Sequence, residues 1–312
     1  MSGPLHSRDV TSNSDTARAT EAALEITDSR LTEVGRVPVR WALPQRTRRS
    51  VGAWCFADHA GPVTFADGAG PDIGPHPHMG LQTVTWLVSG ELVHRDSLGT
   101  EQPIRPGQLN LMTAGEGVSH AEEAALSSRG DFHGIQLWVA QPESTRHDAP
   151  AFEHHAELPR ADLRGGTATV LIGTFASVSS PARRDSDHLG VELELRGPSA
   201  VLPLEAAHEH ALIVLSGALV LDGRPLEAGY LAYLGTGRDE YSLETREPTR
   251  AILLGGVPFD EPLLMWWNFV ARERDEMLDA YRHWDSDDGF FGRVDSRLGR
   301  VAVGPPPWLA TP

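Results

Sequence analysis

The chain has 312 residues, of which 27 are basic and 43 are acidic, so its formal net charge is −16. Because a nucleic-acid interface needs a basic patch, this acidic balance argues against direct contact with DNA or RNA. No stretch approaches the roughly 18 apolar residues of a membrane span, so we expect no membrane partner.

The cysteine content and the first residues predict a compartment. Cys55 is the single cysteine, so no intramolecular disulfide can form. Chains without disulfides are typical of reducing compartments, and the opening residues lack the apolar core of a secretory signal. We therefore expect a cytoplasmic protein, in which Cys55 is a buried and unreactive thiol between Trp54 and Phe56.

The chain divides by composition into five segments. Residues 1–35 are rich in Ser, Thr, Ala and charged side chains, and we expect a mobile tail. Residues 36–145 and 166–260 contain short apolar strands separated by Gly and Pro turns, which is typical of an all-β sandwich or barrel. The polar residues 146–165 predict a linker, and residues 261–312 predict a C-terminal helix and tail.

Two short patterns occur once in each β-rich segment, in the same order. The first is a His-x-His pair followed by an apolar strand and a Ser-Gly turn, written HPHMGLQTVTWLVSGEL from His76 and HEHALIVLSGAL from His208. The second is a strand followed by a Gly-rich turn, written PGQLNLMTAGEG from Pro106 and AGYLAYLGTG from Ala228. Two copies in one order predict a duplicated domain, and therefore two β-barrels in tandem.

The C-terminal segment has helical periodicity. Asn268 is a favourable helix cap, and Met277, Tyr281 and Trp284 recur at the spacing of one helix face. We therefore predict a helix over FVARERDEMLDAYRHW, directly after Asn268, that packs this face against a barrel wall.

Four side chains with metal-binding chemistry occur in two short segments of the first barrel. His76 and His78 are two residues apart, as are His120 and Glu122. Side chains two apart on a strand point to the same face, so each pair can point into the barrel. Three neutral imidazoles and one carboxylate suit a divalent first-row metal, with positions left open for water, O₂ or a substrate.

These segments resemble the pirin family of the cupin superfamily. The resemblance covers roughly residues 36–290, is weaker in the C-terminal half, and is carried by RRSVGAWCFADHAGPV, GPHPHMGLQTVTWLVSGELVHRDSLGT, PGQLNLMTAGEGVSHAEE, FHGIQLWV and GGVPFDEPLLMWWNFV. It implies a bicupin, with two jelly-roll barrels packed face to face and one metal in the N-terminal barrel. The implied ligands are His76, His78, His120 and Glu122. The family usually carries Glu where this chain has Gln82, a change that keeps a hydrogen bond and loses a charge.

The resemblance implies two functions. Some pirins resemble quercetin 2,3-dioxygenases, which open a flavonol ring with O₂, so we expect a small aromatic substrate and Glu122 as the general base that accepts a phenolic proton. Others resemble non-catalytic iron and redox sensors that regulate a protein partner. The expected cofactor is one divalent metal per chain, Fe(II) in the first place, with Ni, Mn, Cu or Zn as alternatives.

The second barrel offers a weaker candidate site. His208 and His210 stand at the place of the first His-x-His pair, and the Gly-rich turn puts Glu240 at the next ligand position, with Tyr241 beside it. The resemblance implies that this barrel has lost its metal. Histidines that are solvated or paired within the core are the alternative.

Other polar residues near the first barrel have structural interpretations. His94 and His133 lie on predicted strands, and we expect each to be structural or to orient a ligand. Asp58 and His59 look like a catalytic pair, but a hydrogen bond that fixes a loop is the favoured interpretation.

Overall fold

The computed structural model describes residues 24–34, 36–66, 70–125 and 130–309, and strands dominate it. The first eleven strands are β1 (Glu25–Asp28), β2 (Arg30–Val34), β3 (Val37–Leu43), β4 (Trp54–Phe65), β5 (Ile73–His78), β6 (Leu81–Ser89), β7 (Leu92–Asp96), β8 (Glu101–Ile104), β9 (Leu109–Thr113), β10 (Val118–Ala124) and β11 (Gly130–Ala140).

The second half of the chain adds fifteen strands and two helices. The strands are β12 (Ala151–His155), β13 (Arg160–Leu163), β14 (Gly166–Ile172), β15 (Thr174–Phe175), β16 (Val178–Ser179), β17 (His188–Leu195), β18 (Ser199–Pro203), β19 (Glu209–Ser216), β20 (Ala218–Leu221), β21 (Arg224–Glu227), β22 (Tyr230–Gly235), β23 (Glu240–Thr245), β24 (Thr249–Gly256), β25 (Leu264–Trp266) and β26 (Phe269–Ala271). The helices are α1 (Arg274–Ser286) and a 3₁₀ turn (Pro307–Leu309). Within the described ranges, no helix is long and apolar enough to cross a membrane.

Each half forms one barrel from a large and a small antiparallel sheet. In the first barrel, a seven-stranded sheet of order β12-β9-β6-β11-β4-β3-β2 faces a four-stranded sheet of order β5-β10-β7-β8. In the second barrel, a seven-stranded sheet of order β1-β22-β19-β24-β17-β14-β13 faces a four-stranded sheet of order β18-β23-β20-β21. The predicted all-β fold of two tandem cupin-type barrels with a C-terminal helix is confirmed.

The alternation of apolar residues explains how the barrels close and pack together. On β11, Trp138 lies inside the first barrel, whereas Leu137 lies in a core shared with Leu171 and Leu254 of the second barrel. The two large sheets therefore pack face to face, because both of their surfaces are apolar. Trp54 joins the barrels through its indole N–H, which donates to the carbonyls of Leu189 at 2.9 Å and Gly255 at 3.1 Å.

Two predicted irregular segments contain strands instead. The predicted mobile tail 1–35 is wrong for residues 25–28 and 30–34, since β1 pairs with β22 of the second barrel and β2 pairs with β3 of the first; residues 1–23 lie outside the described part. The predicted linker 146–165 contains β12, which pairs with β9, and β13, which pairs with β14. These strands lie at or near sheet edges, where polar side chains are tolerated, so their composition resembles that of loops.

The C-terminal helix is shorter than predicted. It begins at Arg274 after the cap residue Glu273, and the predicted cap Asn268 lies in the turn between β25 and β26. The apolar face is confirmed, because Met277 and Trp284 are buried in a cluster that also includes the β25–β26 hairpin. The helix begins later in the chain than predicted because residues 269–271 form a strand of this hairpin, which buries aromatic side chains in the same cluster.

Candidate metal centre

Neighbouring strands bring the three predicted histidines together. β5 and β10 are antiparallel, with His76 directly opposite His120 and His78 opposite Val118. The register shifts between His120 and Glu122, so a β-irregularity separates the last imidazole from the carboxylate. Because residues two apart share a face, His76 and His78 both turn into the barrel, as the sequence predicts.

The ligand nitrogens of His76, His78 and His120 converge within 4.8 Å of one another. All three residues are buried, and Nε2 of His78 lies 3.0 Å from Nε2 of His120. Two nitrogens that bind one ion at about 2.1 Å and at right angles are about 3 Å apart. The observed spacing therefore fits a shared metal ion without rearrangement of this pair.

Hydrogen bonds at Nδ1 set the tautomers of the His76 and His78 rings. His76 Nδ1 donates to the carbonyl oxygen of Gly74 at 2.9 Å, and His78 Nδ1 donates to that of Asn268 at 3.2 Å. A carbonyl oxygen can only accept, so Nδ1 carries the proton and Nε2 of a neutral ring carries the lone pair. This arrangement is typical of metal-bound histidines.

Burial also keeps the rings neutral. It lowers the pKa of His76 to about 4, although the hydrogen bond to Gly74 opposes the shift. Burial, together with the neighbouring His76, lowers the pKa values of His78 and His120 well below the ordinary histidine value. Neutral imidazole is the form that coordinates a cation, so this buried group can hold a metal ion.

Glu122 lies beside this group rather than within it. Its carboxylate does not lie within 4.8 Å of all three nitrogens, but its charge is near enough to raise the pKa of His76. The Thr85 hydroxyl oxygen lies 3.5 Å from Glu122 Oε1, and the Glu122 side chain is buried. The structure thus places the predicted carboxylate beside the imidazole group and not among its converging ligand atoms.

Comparison with known proteins identifies the family. A family model described as Pirin matches residues 36–139, and one described as Pirin C-terminal cupin domain matches residues 191–290. These matches cover more than half of the chain. The protein belongs to the pirin family.

Relatives of this pirin match most of its length. A protein of Pseudomonas aeruginosa that carries the provisional name quercetin 2,3-dioxygenase is 44% identical, over 99% of this chain and 98% of its own. A pirin-like protein of Caulobacter vibrioides is 36% identical, over 82% of this chain and 91% of its own. The crystal structure of quercetin 2,3-dioxygenase from Acinetobacter baumannii is similar with a TM-score of 0.87 and 41% identity, and the match covers 90% of this pirin and 95% of that chain.

In this pirin, two hydrogen-bonded side chains, His94 and Asp96, hold the His120 ring in its orientation. His94 Nδ1 lies 3.3 Å from His120 Nδ1, and His94 Nε2 donates to Asp96 Oδ2 at 3.0 Å. The backbone N–H groups of Leu98 and Thr100 donate to the other oxygen of Asp96 and fix its orientation. Because Asp96 can only accept, Nε2 of His94 carries the proton, and Nδ1 of the neutral His94 ring accepts a hydrogen bond from Nδ1–H of His120. The lone pair of the neutral His120 ring is therefore on Nε2. His94 lies against His120, as expected of a histidine that is structural or orients a ligand, whereas no sequence pattern pointed to Asp96.

We expect His94→Phe to weaken metal binding about 10-fold to 100-fold, the usual effect of removing the partner of a metal-binding histidine. Phe keeps the ring that stacks on Phe152 at 4.4 Å but cannot accept from His120. Competition with a chelator measures the affinity. His133→Phe is the matched control, because His133 is buried and pairs with His59 at 2.7 Å, away from the metal group. Equal affinities in the two variants contradict the supporting role.

The second barrel does not repeat the site. His208 precedes β19 and His210 lies on β19 in the large sheet, whereas His76 and His78 lie on β5 in the small sheet. Glu240 is exposed at the start of β23, and Tyr241 donates to Asp222 at 2.8 Å. Among the described residues, His76, His78 and His120 form the one group with metal-binding geometry. The predicted equivalence of the two His-x-His pairs is therefore wrong, because the pairs occupy different strands.

The structure also resolves the expectations for Asp58 and His59, for Gln82 and for Cys55. Asp58 and His59 are successive residues of β4, so they point to opposite faces, and the predicted loop hydrogen bond is wrong. Gln82 donates to Thr113 at 3.0 Å, on the face of β6 that carries Val84 and Trp86 toward the second barrel. The substitution of the family Glu by Gln82 therefore lies on the opposite face of the sheet from the metal group. Cys55 is buried, and burial raises its pKa to about 12, as expected of an inert thiol.

Proposed function

We propose that this pirin is a metal-dependent dioxygenase that opens a flavonol-type aromatic substrate with O₂. The observation that supports the proposal is a buried group of three imidazoles with a buried carboxylate beside it. The names of the relatives in P. aeruginosa and A. baumannii point to the same chemistry. The substrate class is taken from those names, and the reacting residues are taken from the site.

The proposed ligands are the three imidazoles and Glu122. Nitrogen and carboxylate donors together suit Fe(II), which we propose as the resident ion, and they also accept Ni, Mn, Cu or Zn. The bound metal would supply Lewis acidity and a route for electrons from the substrate to O₂. The negative charge of the carboxylate would partly neutralise a bound divalent cation. It would therefore strengthen metal binding beyond what three neutral rings provide.

The side chains around the metal group have separate tasks. Burial acts to raise the pKa of Glu122, but the neighbouring His76 and His94 help to hold it below the ordinary value. The carboxylate is therefore ionised, and a Glu122 oxygen can accept the proton of the substrate hydroxyl. His94 and Asp96 hold His120 in its orientation. Trp138, whose ring centre lies 5.2 Å from that of His78, and Phe56 stacked on it at 4.1 Å form an apolar wall that excludes water.

Anaerobic binding followed by oxygen uptake tests the proposal. Protein loaded with Fe(II), or in parallel with Ni(II) or Mn(II), is mixed with a flavonol panel without O₂, and the absorption spectrum reports deprotonation of the bound flavonol. Admission of O₂ is then expected to start stoichiometric oxygen consumption and loss of the flavonol band. Full metal loading with no oxygen uptake across the panel contradicts the proposal, and pull-down of a protein partner that depends on the iron oxidation state would favour the sensor function instead.

A further inference from the structure

A row of polar side chains crosses the inner face of the large sheet of the first barrel. Its members are direct antiparallel neighbours on six consecutive strands, so their side chains share one face. We call this set the polar row, and it consists of Trp41, Asp58, Gln136, Thr85, Asn110 and His154.

The polar row faces the metal group. Phe56 and Trp138 lie two residues from Asp58 and Gln136 on their strands, and the Trp138 ring contacts His78. At the other end, Phe152 lies two residues from His154 and stacks on His94. In the middle, the Thr85 hydroxyl reaches Glu122 at 3.5 Å. Contacts at both ends and in the middle therefore show that this face of the sheet lies toward the metal group.

The row presents hydrogen-bonding groups that the described residues do not satisfy. Gln136 Oε1 accepts from Thr85 at 2.9 Å and Asn110 Oδ1 pairs with His154 at 2.7 Å, so both amides turn their NH₂ groups away from these bonds. The buried Gln136 Nε2, Asn110 Nδ2 and both carboxyl oxygens of Asp58 have no partner with hydrogen-bond geometry in the described part of the chain. The Trp41 indole acts on the pKa of Asp58 from the next strand but does not reach that geometry.

Unsatisfied polar atoms are uncommon inside proteins, because each one loses its hydrogen bonds to water on burial. Several of them in one line, on a face that a barrel usually fills with apolar side chains, indicate a surface that pairs with a ligand. Asp58 and Asn110 are three strand spacings apart, or about 14 Å along the sheet, which is the length of a two-ring to three-ring molecule. Burial raises the pKa of Asp58 well above its ordinary value, so its carboxyl group can donate as well as accept.

We propose that the polar row is the substrate-binding surface that faces the metal group and that it selects planar aromatic ligands rich in carbonyl and hydroxyl oxygens. The amide N–H groups of Gln136 and Asn110 donate to these oxygens, and the Asp58 carboxyl binds a ligand hydroxyl. The assignment rests on the proposed function, because the ligand is the substrate of the proposed metal site. The row discriminates between ligands because its buried amide N–H groups stay unpaired when an oxygen-poor ligand is bound, which lowers the affinity for that ligand.

Binding of two related probes tests the polar row. Quercetin and flavone share a skeleton, but flavone lacks the hydroxyl groups, and their affinities for metal-loaded protein without O₂ are measured by quenching of tryptophan fluorescence. Gln136→Leu is expected to weaken quercetin binding about 10-fold and to change flavone binding less than about 3-fold. Gln82→Leu is the matched control, because Gln82 is equally buried in the same sheet but faces the second barrel.

A second pair of variants makes the test independent of Gln136. Asp58→Leu is expected to weaken quercetin binding about 10-fold, whereas Asp58→Asn, which can still donate and accept, stays within about 3-fold of the native protein. Native-like quercetin affinity in both Leu variants, or equal binding of quercetin and flavone by the native protein, overturns the assignment. If the Leu variants weaken quercetin binding but the native protein consumes no oxygen, the proposed dioxygenase is contradicted and the polar row is not. If the Leu variants consume oxygen at the native rate, the polar row is contradicted and the dioxygenase is not.

Discussion

The His78→Ala variant is expected to lose its metal and, with it, all oxygen uptake. His78 is fully buried, and its Nε2 lies 3.0 Å from Nε2 of His120 at the centre of the group. Its removal leaves two imidazoles and opens a gap where the third donor pointed. We expect a larger loss of affinity than the roughly 10-fold to 100-fold typical of a residue that only supports a ligand. Elemental analysis of protein purified without chelators measures the metal content.

His210→Ala is the control for this variant. His210 is also a buried histidine, and burial likewise lowers its pKa to about 4, but it lies on β19 in the second barrel. We expect it to retain the metal content of the native protein. Full metal content in His78→Ala, or equal loss in both variants while circular dichroism shows folded protein, would place the metal elsewhere.

Replacement of Glu122 by Gln is expected to slow turnover about 100-fold to 10,000-fold, the usual contribution of a general base. Gln keeps the size of the side chain and one carbonyl oxygen, but it has no basic carboxylate to accept the substrate proton. The three imidazoles stay in place, so most of the metal should remain bound. Single-turnover loss of the flavonol band under O₂ measures the rate, and elemental analysis of the same sample measures the metal.

Glu123→Gln tests whether the effect depends on position. Glu123 is the next residue of β10 and is equally buried, but it points away from the metal group, where it accepts from Ser296 at 2.6 Å and pairs with Arg297 at 3.2 Å. We expect near-native turnover in this variant. If Glu122→Gln retains native turnover at full metal loading, Glu122 is not the base, and a substrate that binds already deprotonated would explain the reaction.

Sequence patterns were sufficient for the features that depend on local spacing. The two-residue spacing of His76 and His78 fixes their common face, because side chains alternate along any strand. The repeated strand and turn patterns likewise predicted a duplicated β-barrel, which the two matching sheet orders confirm. Local periodicity also identified the apolar helix face of Met277 and Trp284.

Edge strands and helix ends were harder to predict from the sequence. Residues 25–28 resemble a polar tail, and they form a strand because an edge of the second barrel offers them backbone partners on β22. Residues 269–271 have helical periodicity, and they form β26 because the hairpin with β25 buries their apolar side chains. In both places, a distant partner decides the conformation.

The amino-acid sequence by itself determined the duplicated β-barrels and the three histidines that converge in the first of them, since alternation along a strand is a property of the local backbone. Only the tertiary structure decided which strands lie side by side. Register between distant strands aligned Asp58, Gln136 and Asn110 into one row, brought the Asn268 carbonyl to His78, and separated His208 from any equivalent of β5. These relations join residues far apart in the chain, and no local pattern encodes them because they depend on how whole sheets pair and close.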